Sequence, residues 1–125
     1  MMDGRRGLWL EQMLASAELA CTYIEGMDFT AFSRDKRTQQ AVVLNVLVLG
    51  ELSAKLMDKA PEYVARHADV PWMNMKGMRN RIAHGYFELD LNVVWETVQT
   101  AVPALAKQLS ALRSEDEGQG AEKRG

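Results

Sequence analysis

The chain has 125 residues, enough for one hydrophobic core but not two. Its 47% hydrophobic content excludes a disordered chain, its net charge of −2 gives no global basic field for nucleic acid, and its single cysteine, Cys21, excludes an internal disulfide or a multi-cysteine zinc site. A reducing, cytoplasmic setting is the expectation. The longest apolar run, residues 41–50, is ten residues long, against roughly 20 for a membrane span. The opening MMDGRRG lacks the apolar core of a signal peptide.

Residues 1–7 read as a flexible N-terminus. From residue 8 to 24, Leu10, Met13, Leu14, Ala17, Cys21 and Ile24 recur at the three-four spacing of one helical face, and Gly26 follows as a stop. A second helix is predicted from an Asp35 N-cap to about Lys59, ahead of Pro61. Within it Ala41, Val42, Leu44, Val46, Leu47, Val48 and Leu49 leave no polar face, so the helix is expected to be surrounded on most sides, in a bundle or at a dimer seam. Its β-branched residues raise the alternative of a strand. Leu52, Leu56 and Met57 continue at helical spacing, however, and Glu51 and Lys55 fall one turn apart, which favours the helix. Pro61 and Pro71 bracket room for one or two helical turns, with His67 read as an exposed residue. A third helix carries Trp72, Met75, Met78 and Ile82 and closes near Gly85. A fourth starts around Asp90 and carries Val94, Trp95, Val98, Val102, Leu105, Leu109 and Leu112, with Pro103 expected to kink or divide it. Residues 114–125 read as a disordered tail, which leaves 8–113 as the folded domain. No stretch alternates with period two, so the predicted fold is all-α: an antiparallel bundle of four to five helices.

The chemistry gathers between Lys76 and Glu88. Between residues 63 and 87 the charged side chains are Arg66, Lys76, Arg79 and Arg81 against Asp69, a local basic patch in a chain of negative net charge. Asn80 and His84 are four apart and share a helical face, whereas Arg79 and His84, five apart, stand about 140° apart around the axis. Arg79 and His84 meet on one ligand only if the helix loosens at Gly85 or if a second chain supplies the matching group.

These residue types suit RNA cleavage. Histidine, with an unperturbed pKa of about 6.5, serves as base or acid at neutral pH, and arginine presents a fixed fork of donors to phosphate oxygens. No second His stands within ligand spacing of His84 and no acidic cluster precedes Glu88, so no metal or cofactor is expected. The bland alternatives are a His84 that only caps its helix C-terminus, a Tyr86 at the core edge, a buried hydrogen-bonding Asn80 and a solvated or ion-paired Arg81. Glu51 has three candidate partners, Arg79, Arg81 and Lys55. Gly50 reads as a site of close helix approach, and Trp72 and Trp95 as core.

The run Arg79-Asn80-Arg81-Ile82-Ala83-His84-Gly85-Tyr86 matches the pattern of Arg, four residues, His, one residue, Tyr. Gly50-Glu51, Pro71-Trp72, Gly77-Met78, Gly85-Tyr86-Phe87 and Val94-Trp95-Glu96 accompany it. With these features the chain, from residue 24 to 105, resembles the HepT toxins of the HEPN superfamily, the toxin half of MNT–HEPN (type VII) toxin–antitoxin systems. The resemblance implies a homodimeric, metal-independent endoribonuclease with Arg79 and His84 catalytic and Asn80 helping to position the site; beside it, Glu51 is expected to support the site by orienting the arginine if it faces the basic motif, and Lys76 and Arg81 are the expected RNA contacts. It also implies a minimal nucleotidyltransferase partner that silences the toxin by transferring AMP to Tyr86. The long apolar helix and the motif helix are both candidate dimer seams, and the motif helix is favoured, since two opposed His84 side chains supply an acid and a base. The alternative is a catalytically silent, nucleotide-binding or accessory subunit of a nucleotidyltransferase.

Overall fold

The computed structural model describes residues 4–124, with side chains placed for 4–116. Its helices are α1 (Arg5–Tyr23), α2 (Phe29–Arg34), α3 (Lys36–Lys59), α4 (Pro61–Arg66), α5 (Trp72–His84), α6 (Leu91–Glu96) and α7 (Val102–Arg124). A 3-10 turn, Tyr86–Glu88, follows α5, and a π-helical turn, Thr97–Ala101, joins α6 to α7. No strand occurs among the described residues, and the protein is an all-α bundle.

Local chemistry sets most boundaries. Asp28 and Asp35 accept from the backbone N–H of Ala31 (2.8 Å) and Thr38 (3.1 Å), capping α2 and α3. The Thr38 hydroxyl also donates to Asp35 at 2.7 Å, and these bonds hold the Asp35 carboxyl below its ordinary pKa. Pro61 takes the first position of α4, where its missing N–H costs nothing. Gly26, at φ +76°, ends the α1 segment in the left-handed region. Pro103 cannot donate to the carbonyl of Gln99. The chain widens one turn earlier, where the Val102 N–H reaches back five residues to Thr97, so the expected division at Pro103 takes the form of a π turn.

Helix α3 is the central element, packing against α5 on one side and α1 on another, while α7 closes on α1. By length and composition α3 is apolar enough to cross a membrane, with a mean hydropathy of 1.4 over 18 residues, but half of that stretch is buried in the bundle. The apolar run is less enclosed than its sequence implies: Leu44 is exposed, and Gln39, Asn45 and Ser53 are buried with their side chains bonded to backbone carbonyls. Phe32 packs its ring 5.2 Å from that of Trp95, which brings α2 to α6, and Trp72 donates its indole N–H to the His67 carbonyl at 3.0 Å. Both tryptophans lie in the core, as expected. His67 differs from expectation: it is half-buried, with its ring 4.6 Å from that of Tyr63. Cys21 is half-buried against the core, and burial pushes its thiol pKa up.

Both expected ends of the domain are extended. Arg6, placed by sequence in a flexible segment, is a buried residue of α1. Its guanidinium stacks 4.0 Å from the Tyr63 ring and pairs with Asp116 at 2.7 Å. Helix α7 runs past residue 114, where the tail is expected to begin, and Asp116 is what holds that extension to α1. Of the two expected flexible segments, residues 1–3, residue 125 and the side chains of 117–124 lie outside the described residues.

Candidate functional site

Arg79 sits where α5 crosses α3. A Cβ on Gly50 would collide with the Arg79 Cβ and lie 2.5 Å from the Met75 carbonyl oxygen, so only glycine lets the two helices approach this closely. That approach brings the Glu51 carboxylate to the arginine: Nη1 of Arg79 donates to Oε1 of Glu51 at 2.8 Å, while its Nε donates to Oδ1 of Asn80 at 2.9 Å. Two of the three nitrogens are thereby fixed, and the side chain is 22% exposed. The guanidinium is pinned in direction and still open to a ligand. Of the three candidate partners for Glu51, geometry selects Arg79. Lys55 instead places its ammonium 5.9 Å from the Trp9 ring.

His84 is different in every respect. Helix α5 is unbroken through it, because the Gly85 N–H still donates to the Arg81 carbonyl at 3.1 Å. The loosening at Gly85 that would swing His84 toward Arg79 does not occur, and the two remain about 140° apart around the axis. Lys76, Asn80 and His84 recur every four residues and form one stripe along α5. His84 is exposed and lines a cleft of about 320 Å³ with Arg81, Glu88 and Asp90. Lys76 is half-buried and does not reach that cleft. No cluster of three His, Cys, Asp or Glu that could ligate a metal exists among the described residues.

Beyond Gly85 the chain tightens into the Tyr86–Glu88 turn, held by Glu88 N–H to the Gly85 carbonyl at 3.0 Å and Leu89 N–H to that of Tyr86 at 3.3 Å. Tyr86 is 38% exposed, with its ring in edge contact with that of Phe87, centroids 5.4 Å apart. Phe87 is 96% exposed, and sequence reasoning assigned it no role. The available signal was its position, outside the apolar periodicity of both flanking helices.

The structure thus brings Glu51, Arg79 and Asn80 together, places Arg81 beside His84, and leaves Arg79 and His84 on different faces of one helix.

A family model described as ribonuclease HepT-like matches residues 13–112 of the chain. A candidate RNase of Caldanaerobacter subterraneus subsp. tengcongensis is 31% identical over 104 residues, covering 83% of this chain and 90% of that protein. A Thermococcus cleftensis protein that carries the name probable ribonuclease HepT is 31% identical over 105 residues, 84% of this chain and 93% of its own length. A candidate RNase of Methanocaldococcus jannaschii is 27% identical over 111 residues, 89% of each chain. No solved structure matches the chain.

Proposed function

The chain belongs to the HepT-like ribonuclease family, and from that premise we propose that it is a cytoplasmic, metal-independent endoribonuclease whose site is completed by two copies of the chain. The observation that carries this reading is the geometry of α5. Arg79 is fixed in orientation by Glu51 and Asn80, while His84 stands exposed on another face of the same unbroken helix. One protomer does not converge the two groups on a phosphate; two facing α5 helices would.

In that arrangement one His84 takes the proton of the ribose 2′-hydroxyl as the oxygen attacks phosphorus. The bond from phosphorus to the 5′-oxygen breaks, and the other His84 returns a proton to the departing oxygen. A 2′,3′-cyclic phosphate and a 5′-hydroxyl result. Arg79 donates to the phosphoryl oxygens, where negative charge accumulates in the transition state, and Lys76 and Arg81 hold the flanking backbone. DNA, lacking the 2′-hydroxyl, is inert. The proposed partner is a minimal nucleotidyltransferase antitoxin that joins AMP from ATP to the Tyr86 hydroxyl with release of pyrophosphate. Tyr86 is open enough to receive it, and the added phosphodiester would repel RNA two residues from His84.

The test compares wild type with His84→Ala on single-stranded RNA in buffer containing EDTA, with light scattering for mass. The expected result is cleavage to cyclic-phosphate ends by a species of twice the 14.0 kDa chain mass, lowered about 10²- to 10⁴-fold in the variant. Equal, measurable rates for the two proteins would remove His84 from the chemistry, and no cleavage by either would leave the silent accessory subunit as the reading. For the modification, the nucleotidyltransferase and ATP should add one AMP mass to wild type and none to Tyr86→Phe; an unmodified wild type removes the antitoxin role of Tyr86.

A further inference from the structure

We propose that the Tyr86–Phe87 turn carries a nucleobase subsite, in which Phe87 stacks on a base of the RNA strand flanking the phosphodiester presented to His84. This rests on the ribonuclease reading above and names how that site would grip its substrate.

An almost fully exposed phenylalanine is an unfavourable use of apolar surface, and here it is not a wandering loop residue. The turn that bears it is closed by two backbone hydrogen bonds, and the Tyr86 ring in edge contact restricts the phenyl orientation. On its far side the turn walls a cleft of about 290 Å³, small for a ligand site, whose floor includes Val43, Leu91 and Val94 and whose rim carries Lys36 and Gln40. Lys36 is the cleft's only charged lining residue among those described, and it stands in the first turn of the 24-residue helix α3. A base ring on Phe87 therefore has an aromatic face to stack on, an amide at hand for its polar edge, and the Lys36 ammonium for the adjoining phosphate, the N-terminus of α3 itself being taken by the Asp35 carboxylate.

The placement relative to the candidate chemistry is what makes this a subsite. The His84 cleft and the Phe87 cleft share Leu89 and Val94 in their walls, so they lie back to back across the Tyr86–Glu88 turn. A strand with its phosphate at His84 passes over that turn to reach the second cleft. The composition also favours a nucleic acid over a protein partner. Lys36, the one charged lining residue among those described, is a cation matched to a phosphate, and an exposed aromatic beside a cation is the pattern of single-strand binding.

The test measures binding of a fluorescein-labelled, uncleavable 2′-O-methyl RNA by anisotropy, and cleavage of the unmodified strand, for wild type, Phe87→Ala and Phe87→Trp. Stacking predicts a Kd and a KM raised about tenfold in Phe87→Ala and restored in Phe87→Trp. It also predicts that an abasic nucleotide next to the cleaved bond lowers wild-type affinity and erases the difference between wild type and Phe87→Ala. Equal affinity of wild type and Phe87→Ala, with cleavage intact, would overturn the subsite and leave the ribonuclease reading standing. Loss of affinity accompanied by a halved mass in light scattering would overturn it in favour of a second copy seated on Phe87. RNA bound but not cleaved by wild type would remove the ribonuclease reading alone, while absence of RNA binding would remove both.

Discussion

Arg79 and His84 stand five residues apart on one helix, yet their surroundings have little in common. The arginine lies at the closest crossing of the fold, against Gly50, with two of its nitrogens committed to Glu51 and Asn80. The histidine lies at the free end of α5, exposed, followed by a turn in which no residue is buried. One half of the candidate site is thus built by the core and inherits its rigidity; the other half is displayed at the surface, where a substrate, a modifying enzyme or a second protomer could complete it. A group that must hold a developing charge gains from preorganisation, while one that exchanges protons must be reached.

This contrast can be strained at several points. The largest effect is expected at the crossing. Gly50→Ala should force α3 and α5 apart, cost about 2–3 kcal/mol and lower Tm by roughly 10 °C, taking the Arg79 geometry with it. Gly77→Ala on α5, where nothing lies within 4 Å of an added Cβ, should instead raise Tm slightly through helix propensity. Equal thermal melts for the two variants would show that the crossing is not tight. Next comes Glu51→Gln. The Glu51 carboxylate is half-exposed, so stability should change by no more than about 0.5 kcal/mol, whereas kcat for RNA should fall about tenfold as Arg79 loses its charged partner. A kcat at the wild-type level would make Glu51 a surface charge and nothing more. The smallest effect belongs to the core away from both halves, at Tyr63 beneath Arg6. The buried Tyr63 hydroxyl has no hydrogen-bond partner among the described residues, and burial pushes its pKa up to about 12, above the unfolded value near 10. Its stabilising contribution is therefore complete below about pH 10 and is lost as the pH rises toward 12. Tyr63→Phe should melt within about 1 kcal/mol of wild type at pH 7 and fall less steeply above pH 10; parallel alkaline profiles would place the hydroxyl in water.

Where sequence reading succeeded, the determinants were local. Asp35, Pro61, Pro71 and Gly85 mark their boundaries within a turn or two, and apolar spacing identifies the buried faces of α1, α5 and α7. Helix α2 escaped because six residues with one buried side chain, Phe32, make no period. The Arg6 contact with Asp116 escaped because the partners are 110 residues apart, and nothing near either one marks it. At the site, the motif residues could be listed from the chain, but the choice of Arg79 for Glu51 depended on the Gly50 crossing, and the displayed Phe87 depended on which way a three-residue turn faces.

That long-range contact between Arg6 and Asp116 has a consequence for the order of assembly. Closing a loop of this length costs more chain entropy than pairing neighbouring helices, so α1 should settle against α7 late. The Glu51–Arg79 pair spans only 28 residues and needs α3 and α5 alone. A chain emerging from the ribosome would then fashion its arginine pocket before α7 is sealed against α1, and pulse-labelled hydrogen exchange during refolding should find the amides of α5 protected ahead of those of α7.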